Sequence, residues 1–384
     1  MIRTTGSGST GGGKRSLFVR FLRVTGMAGR RFNRRISNQG IERILVRAVN
    51  WVGDAVMTLP AVDALGEIFP GSQIVVLAKP WVAAVYEGRP AVSEVMVYRK
   101  DGGILSGLGG LRETARELRA RKFDIAVLFQ NAFEAALLAR AAGIPRRLGY
   151  DRDGRGILLT DKVPLDVFEP GAHQVEYYLN LLRAAGWNAE SRDPVMEPPE
   201  DARRSSLDLL DGQGIDENDI LVALSPGAMY GDAKRWPVER FAAVGDMAVQ
   251  RWGARVLVMG SGKEISICRE VESSMSEPCF NLCGRTSLHL AMAVIERCLM
   301  FVTNDSGLMH LAAALGVPTV AVFGSTDPVA TGPRGHHTRV VRHPVDCAPC
   351  LKAECPRDFS CMKAIEPMNV WNEMEALRKW CNSG

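Results

Sequence analysis

The sequence has no apolar run long enough to cross a bilayer, so we expect no membrane-spanning helix. It also lacks the long apolar core and small-residue cleavage site of an export signal, and it shows no short-period repeat. Because nothing marks the chain for export, we expect a reduced, cytoplasmic protein.

Acidic residues are absent from residues 1–40, which hold nine Lys and Arg. The other 38 basic and 43 acidic residues leave 41–384 with a net charge of −5, which argues against a nucleic-acid footprint over the whole protein. We interpret residues 1–40, which include "GSGSTGGGKRS", as a basic flexible extension. The alternative is a weak peripheral contact with an anionic membrane surface.

Short apolar runs such as "RILVRAV" and "QIVVLA" alternate with helical patterns from residue 42 onward. The alternation breaks near residues 145–200, at a Pro- and acid-rich connector, and then restarts. This rhythm predicts an α/β protein with two doubly wound, parallel-sheet domains. We place them at 41–190 and 191–365, followed by a C-terminal helix at 366–384. Ligands of such sheets bind beyond the carboxyl ends of the strands.

The first such junction is "VNWVGDAVMTLPAVDAL", where Asp54 follows the first strand as a helix begins. Asp is a good helix cap. A carboxylate at this position also points into the expected cleft, where it can take a proton from a substrate hydroxyl. The pattern leaves base and cap equally open.

The second junction is "LSPGAMYGDAKRWPVERF", which supplies Ser225, Gly227 and Lys234. A Gly-rich loop with cations before a helix can hold a phosphate, and an ammonium can stabilise a leaving diphosphate without a metal. The pattern is neither a Walker motif nor a dinucleotide fingerprint. A basic surface loop is the alternative.

Two further junctions follow strands of the second half. In "VMGSGKEISIC", Glu264 is a candidate for contact with a ribose or base, or for favouring its helix by charge. In "TNDSGLMHLAAALG", Asp305 or Ser306 is a candidate cap, Gly307 permits close approach of a phosphate, and His310 falls on the first turn. A capped helix with a packed histidine is the alternative, but the Lys234 loop favours a diphosphate site.

Together these loops resemble the glycosyltransferase family of the bacterial lipopolysaccharide heptosyltransferases, and the match is closest to its heptosyltransferase II branch. The resemblance covers residues 41–365. It rests on "NWVGDAVMTLPA", "PGAMYGDAKRWP" and "TNDSGLMHLAAALGVPTVAVFGSTDP", with weaker support from "RRLGYDRDGRGILL" and "HQVEYYLNLL".

The resemblance implies a GT-B fold, with two Rossmann-like domains facing across a cleft. The first domain would take the acceptor, the inner core of lipopolysaccharide, and the second would take ADP-heptose. Transfer would invert the anomeric centre with no required cofactor. It implies Asp54 as base and Lys234 beside the leaving diphosphate. The implied donor contacts also include Ser225, Gly227, Glu264, Asp305, Ser306, Gly307 and His310.

The acceptor implied by the resemblance is a phosphorylated, carboxylate-bearing sugar on lipid A. Candidate contacts are Asn50, Trp51, Arg146, Arg147 and Arg155, because Arg forks suit such anions. A solvated basic face is an equal alternative for the arginines. With a lipid-anchored acceptor, the basic extension could hold the enzyme at the inner leaflet of the inner membrane.

Four cysteines lie close together in "CAPCLKAECPRDFSC": Cys347, Cys350, Cys355 and Cys361. They could hold a structural zinc ion, but the spacing is not that of paired zinc-ribbon motifs. Free or partly oxidised thiols are therefore favoured over metal.

The function predicted from the sequence is inverting heptosyl transfer. The alternatives are a same-fold transferase with another sugar donor or acceptor, and a non-catalytic nucleotide- or glycan-binding protein. The acceptor hydroxyl, the heptose isomer and the oligomeric state are not determined by the sequence.

Overall fold

A computed structural model describes residues 36–98, 104–165 and 171–381. Most of the basic extension, including all its charged residues, lies outside these ranges, so its membrane contact stays a prediction. Ile36 already belongs to the first domain, where it is buried and its amide donates to the Ala185 carbonyl (2.8 Å). Among the described residues, no helix has both the length and the apolarity to cross a membrane.

The first half of the chain forms a six-stranded parallel sheet with the order β3-β2-β1-β4-β5-β6. Its strands are β1 Arg43–Arg47, β2 Gln73–Ala78, β3 Glu94–Val97, β4 Ile125–Leu128, β5 Arg146–Tyr150 and β6 Asp161–Val163. Its helices are α1 Val52–Ile68, α2 Pro80–Ala83, α3 Ile104–Ala120, α4 Phe133–Ala141 and α5 Gln174–Ala184.

The second half repeats this plan, with the order β12-β11-β10-β7-β8-β9. Its strands are β7 Leu221–Ser225, β8 Arg255–Val258, β9 Cys279–Asn281, β10 Met300–Asn304, β11 Thr319–Phe323 and β12 Thr338–Arg342. Its helices are α6 Glu200–Asp211, α7 Val238–Trp252, α8 Ile265–Ser274, α9 Leu288–Glu296, α10 Gly307–Ala314, α11 Pro328–Thr331, α12 Ser360–Lys363 and α13 Pro367–Cys381.

Both sheets have the strand order of a Rossmann fold, so the prediction of two doubly wound α/β domains is confirmed. The strands are apolar because helices cover both faces of each sheet. In each sheet the direction of winding reverses beside the first strand, at β1/β4 and at β7/β10. Ligands of such sheets bind at this switch point.

The predicted break in the alternation near residue 145 is wrong, because β5 and β6 continue the first sheet to residue 163. These strands escape the sequence pattern since β5 opens with two arginines and β6 has three residues. The predicted connector ends near residue 200, where α6 begins.

The two halves share apolar packing. Met292 of α9 and Leu311 and Ala314 of α10 belong to the same buried cluster as the residues of β1 and α1. Polar contacts add to this interface: Nε2 of His173 lies within hydrogen-bond distance of the Gly332 carbonyl oxygen (2.8 Å). The two switch points therefore face each other across a packed boundary.

Candidate functional site

The first turns of α1 and α10 cross where the two switch points meet. A Cβ on Gly53 would lie 2.7 Å from Cδ2 of His310, and one on Gly307 would lie 3.2 Å from the Cβ of Val52. Only glycine allows this approach, which brings two helix N-termini together. Their free amides and partial positive charges favour an anion between them.

Asp54 lies in the first turn of α1, and Trp51 occupies the N-cap position instead. Asp54 is thus not the helix cap that the sequence left open. Burial raises its pKa to about 6, an effect that Lys234 reduces and Asp305 reinforces. A carboxylate with such a pKa is ionised at neutral pH yet holds a proton more tightly than an exposed Asp, which suits a general base.

Lys234 lies in the loop after β7, and its ammonium donates to Oδ2 of Asp305 at 2.6 Å. Thr326, after β11, donates its hydroxyl to the same oxygen at 2.7 Å. The ring of Tyr230 lies 5.0 Å from the Lys234 ammonium, as a cation–π partner. One ammonium N–H is used by Asp305, and an ammonium has three. Asp305 therefore holds the cation in place.

The start of α10 is capped by Ser306, whose hydroxyl accepts from the Met309 amide at 3.3 Å. The amides of the first turn before Met309 have no intrahelical partner because of their position. His310 is buried behind them, and burial lowers its pKa to about 4. Its imidazole is therefore neutral at working pH and acts as a hydrogen-bonding group, not a cation.

Glu264 faces the Lys234 loop from the next junction. Its carboxylate accepts from the Ser261 amide (2.8 Å) and hydroxyl (2.7 Å) in a capping box. Its other oxygen lies against Gly227, where a Cβ would be 2.0 Å away. Ser225 is buried at the end of β7. The nucleoside contact of Glu264 stays a prediction.

Asn304 is a site residue that the sequence analysis did not select. Its side chain is fully buried and ties the two ends of the Lys234 loop together. It donates to the Pro226 carbonyl at 2.7 Å and accepts from the Trp236 amide at 3.0 Å. No sequence signal separates this amide from a helix-capping one, because its partners become visible only when β7 and β10 are neighbours.

Trp51 and Asn50 lie beside Asp54 at the same edge of the first sheet. Trp51 is 56% exposed. The Asn50 carbonyl accepts from the indole of Trp81 at 2.7 Å, and Trp81 is 58% exposed. Exposed indoles at the mouth of a cleft are typical of a ligand-binding surface.

The three candidate arginines are bound to other groups of the chain or lie at the opposite edge of the first sheet. Arg146 and Arg147 begin β5, at the opposite edge of the sheet from the carboxyl ends, and Arg146 pairs with Asp161 (3.1 Å). Arg155 is fully buried and donates to the carbonyls of Tyr150 and Gln130 and to Asn131. Arg155 would have to leave these partners to reach an acceptor.

All nine cysteines are free thiols. Among the described residues, no group of His, Cys, Asp or Glu is placed to hold a metal ion. Structural zinc at Cys347, Cys350, Cys355 and Cys361 thus has no support in the structure.

Residues 111–359 match the model of glycosyltransferase family 9 (heptosyltransferase). Lipopolysaccharide heptosyltransferase 2 of Escherichia coli K12 is 31% identical, over 87% of this chain and 98% of that protein. The structure of E. coli ADP-heptose lps heptosyltransferase II has a TM-score of 0.76 at 29% identity, covering 88% of this chain and 99% of that one. A family 9 glycosyl transferase from Veillonella parvula has a TM-score of 0.78 at 26% identity, covering 88% and 97%.

These matches span nearly the whole length of the relatives, and they confirm the predicted GT-B fold and transferase class. The chain belongs to glycosyltransferase family 9, the heptosyltransferase family.

Proposed function

We propose that this enzyme transfers heptose from ADP-heptose to the inner core of lipopolysaccharide, with inversion at the anomeric carbon. The observation that carries the proposal is the Asp54 carboxylate, whose pKa is raised to about 6 and which faces the Lys234–Asp305 pair where two helix N-termini meet. A base and an anion-stabilising group on opposite sides of one site are what a single displacement requires. The donor and the acceptor class are those of the related E. coli enzyme, an ADP-heptose lipopolysaccharide heptosyltransferase.

In this mechanism the Asp54 carboxylate takes the proton of the acceptor hydroxyl. The oxygen then forms a bond to the anomeric carbon as the bond from that carbon to the diphosphate oxygen breaks. The electron pair of the broken bond leaves with ADP. One displacement inverts the centre, so no covalent sugar intermediate is formed.

Departing ADP gains negative charge on its diphosphate, and three groups would stabilise it. Asp305 uses one of the three N–H groups of the Lys234 ammonium, which leaves the others to donate to the diphosphate. The first-turn amides of α10, at Gly307 and beyond, add a helix N-terminus. Neutral His310 can donate a hydrogen bond without a net charge. Asp305 would act by holding Lys234, since a carboxylate repels phosphate.

The remaining parts of the cleft divide between the substrates. Ser225, Gly227 and Glu264 line the second domain, where we place the adenosine of the donor. Asn50 and Trp51 lie beside Asp54, where we place the acceptor sugar. The acceptor is assembled on lipid A, so we place the enzyme in the cytoplasm, working at the inner leaflet.

The test is transfer by the purified full chain from ADP-heptose to two defined core acceptors, one without heptose and one carrying a single heptose. We expect turnover on the acceptor with one heptose, with inverted configuration in the product. Preferential use of the acceptor without heptose would contradict the heptosyltransferase II assignment. A parallel panel of other nucleotide sugars identifies a different donor if ADP-heptose fails.

A further inference from the structure

The cysteine segment, defined here as residues 347–365, packs directly on the loop that carries Lys234. Three of its backbone carbonyls accept hydrogen bonds from that loop. Leu351 accepts from the Tyr230 hydroxyl (3.2 Å), Ala353 from the Ala233 amide (3.1 Å), and Ile365 from the Trp236 indole (2.9 Å). The loop is thus held along its length by the cysteine segment, in addition to the two bonds from Asn304.

Close packing accompanies these bonds. Gly231 lies so near the segment that a Cβ would be 2.1 Å from the Ala353 carbonyl oxygen. A side chain of any size at this position would push the loop and the segment apart. This contact is made beside Lys234, three residues further along the chain.

The segment also reaches the second loop of the site. The Leu351 amide donates to the Ser325 carbonyl (2.7 Å), next to Thr326. A Cβ on Gly324 would lie 3.0 Å from the Cys361 sulfur and 2.5 Å from that of Met362. The Thr326 hydroxyl donates to the same Asp305 oxygen that binds Lys234.

We propose that the cysteine segment is a positioning element for the transfer reaction: it braces the Lys234 loop and the Thr326 loop together, and so sets where the Lys234 ammonium meets the leaving diphosphate. The proposal rests on the proposed function for its consequence in catalysis. The segment would act through its backbone carbonyls and through the sulfur of Cys361, which packs on Gly324.

Two substitutions test the brace without touching Lys234. Tyr230→Phe removes the hydroxyl bond to Leu351 but keeps the ring beside the ammonium. Gly231→Ala forces the loop off Ala353. The matched control is Gly253→Ala at the end of α7. Gly253 has a φ of +64° and open space around it, so the new methyl group adds backbone strain but meets no neighbouring atom.

The first measurement is amide hydrogen exchange in the full chain. We expect faster exchange at Ala233 and Leu351 in Gly231→Ala, with no change there in Gly253→Ala. Unchanged protection at both amides in Gly231→Ala would overturn the proposal, whatever the enzyme transfers.

The second measurement is ADP affinity by calorimetry together with kcat and KM. For Tyr230→Phe we expect a loss of about three- to tenfold in ADP affinity and in kcat, as for one lost hydrogen bond. Wild-type affinity and turnover in Tyr230→Phe and Gly231→Ala would also refute the brace, whereas a wild-type chain that cannot bind ADP would refute the proposed function alone.

Discussion

At the scale of single residues, Asp54 shows how burial creates a base. Its pKa lies near 6 because the folded chain removes water from the carboxylate more than Lys234 compensates. The folded state therefore binds this proton more tightly than the unfolded chain. Ionised Asp54 costs stability, and the cost grows as the pH rises from about 4 to 6 and then stays constant.

We predict that Asp54→Asn lowers kcat by about 10²- to 10⁴-fold while ADP still binds, because a general base is lost. Above pH 6 the variant should gain about 1–3 kcal/mol of stability, since a neutral amide replaces the costly carboxylate. In the wild type, kcat/KM should rise with pH to a plateau above about pH 6. Transfer assays and chemical denaturation between pH 4 and 8 measure these effects.

Asp63 of α1 provides a matched comparison, because its carboxylate pairs with Arg89 (2.5 Å) outside the site. Asp63→Asn should keep its turnover and lose stability, the reverse of Asp54→Asn. Near-normal turnover in Asp54→Asn would contradict the role of base, and a loss of stability above pH 6 would contradict the raised pKa of Asp54.

At the scale of elements, the site depends on how closely α1 and α10 approach. Two glycines in their first turns let the backbones touch, and the amide-rich ends then share one space. The same contact places the Asp54 carboxylate opposite the Lys234–Asp305 pair. The N-terminal turns of the two helices form the site, and the side chains further along them pack in the buried cluster.

We predict that Gly53→Ala lowers both stability and turnover. The new Cβ would lie 2.7 Å from the His310 ring, and overpacking in a buried contact costs about 1–3 kcal/mol. Relief of the clash must move the first turn of α1, and Asp54 with it. Thermal unfolding and kcat on the preferred acceptor give the measurement.

The matched replacement is Gly109→Ala in α3, which meets open space. It should raise stability by about 0.5–1 kcal/mol through helix propensity and leave turnover unchanged. If Gly53→Ala behaves like Gly109→Ala, the two helix ends are not in firm contact.

At the scale of the whole molecule, each sheet has its own core, but helices α9 and α10 of the second half pack into the core of the first half. Met292, Leu311 and Ala314 of the second half pack with the buried residues of the first. The Met196 amide, in the connector, donates to the Ala314 carbonyl at 2.8 Å. Because this boundary is apolar and packed, loss of one half should remove support from the other.

We predict one cooperative unfolding transition for the described residues. Leu311→Ala should destabilise both halves together, by about 2–5 kcal/mol, because it opens a cavity in their common cluster. Denaturant unfolding followed by hydrogen exchange in β1 and β7 measures each half. Separate transitions, with only β7 affected, would show that the halves are independent.

The elements and their functional junctions could be predicted largely from the sequence. Apolar runs alternating with helical patterns are enough to infer parallel sheets, because the covered strands must be apolar on both faces. Asp54, Lys234, Asp305, Ser306, Gly307 and His310 follow predicted strands, and strand ends are where such sheets bind ligands. Strands β5 and β6 were not predicted, because β5 begins with two arginines and β6 has only three residues.

Local order along the chain is enough to place particular side chains at the carboxyl ends of strands. What those side chains contact there depends on how distant segments pack. The tertiary structure made β7 and β10 neighbours, so that Asn304 ties the Lys234 loop and Asp305 pairs with Lys234. It raised the pKa of Asp54 and enclosed Arg155, because desolvation depends on atoms from many distant segments.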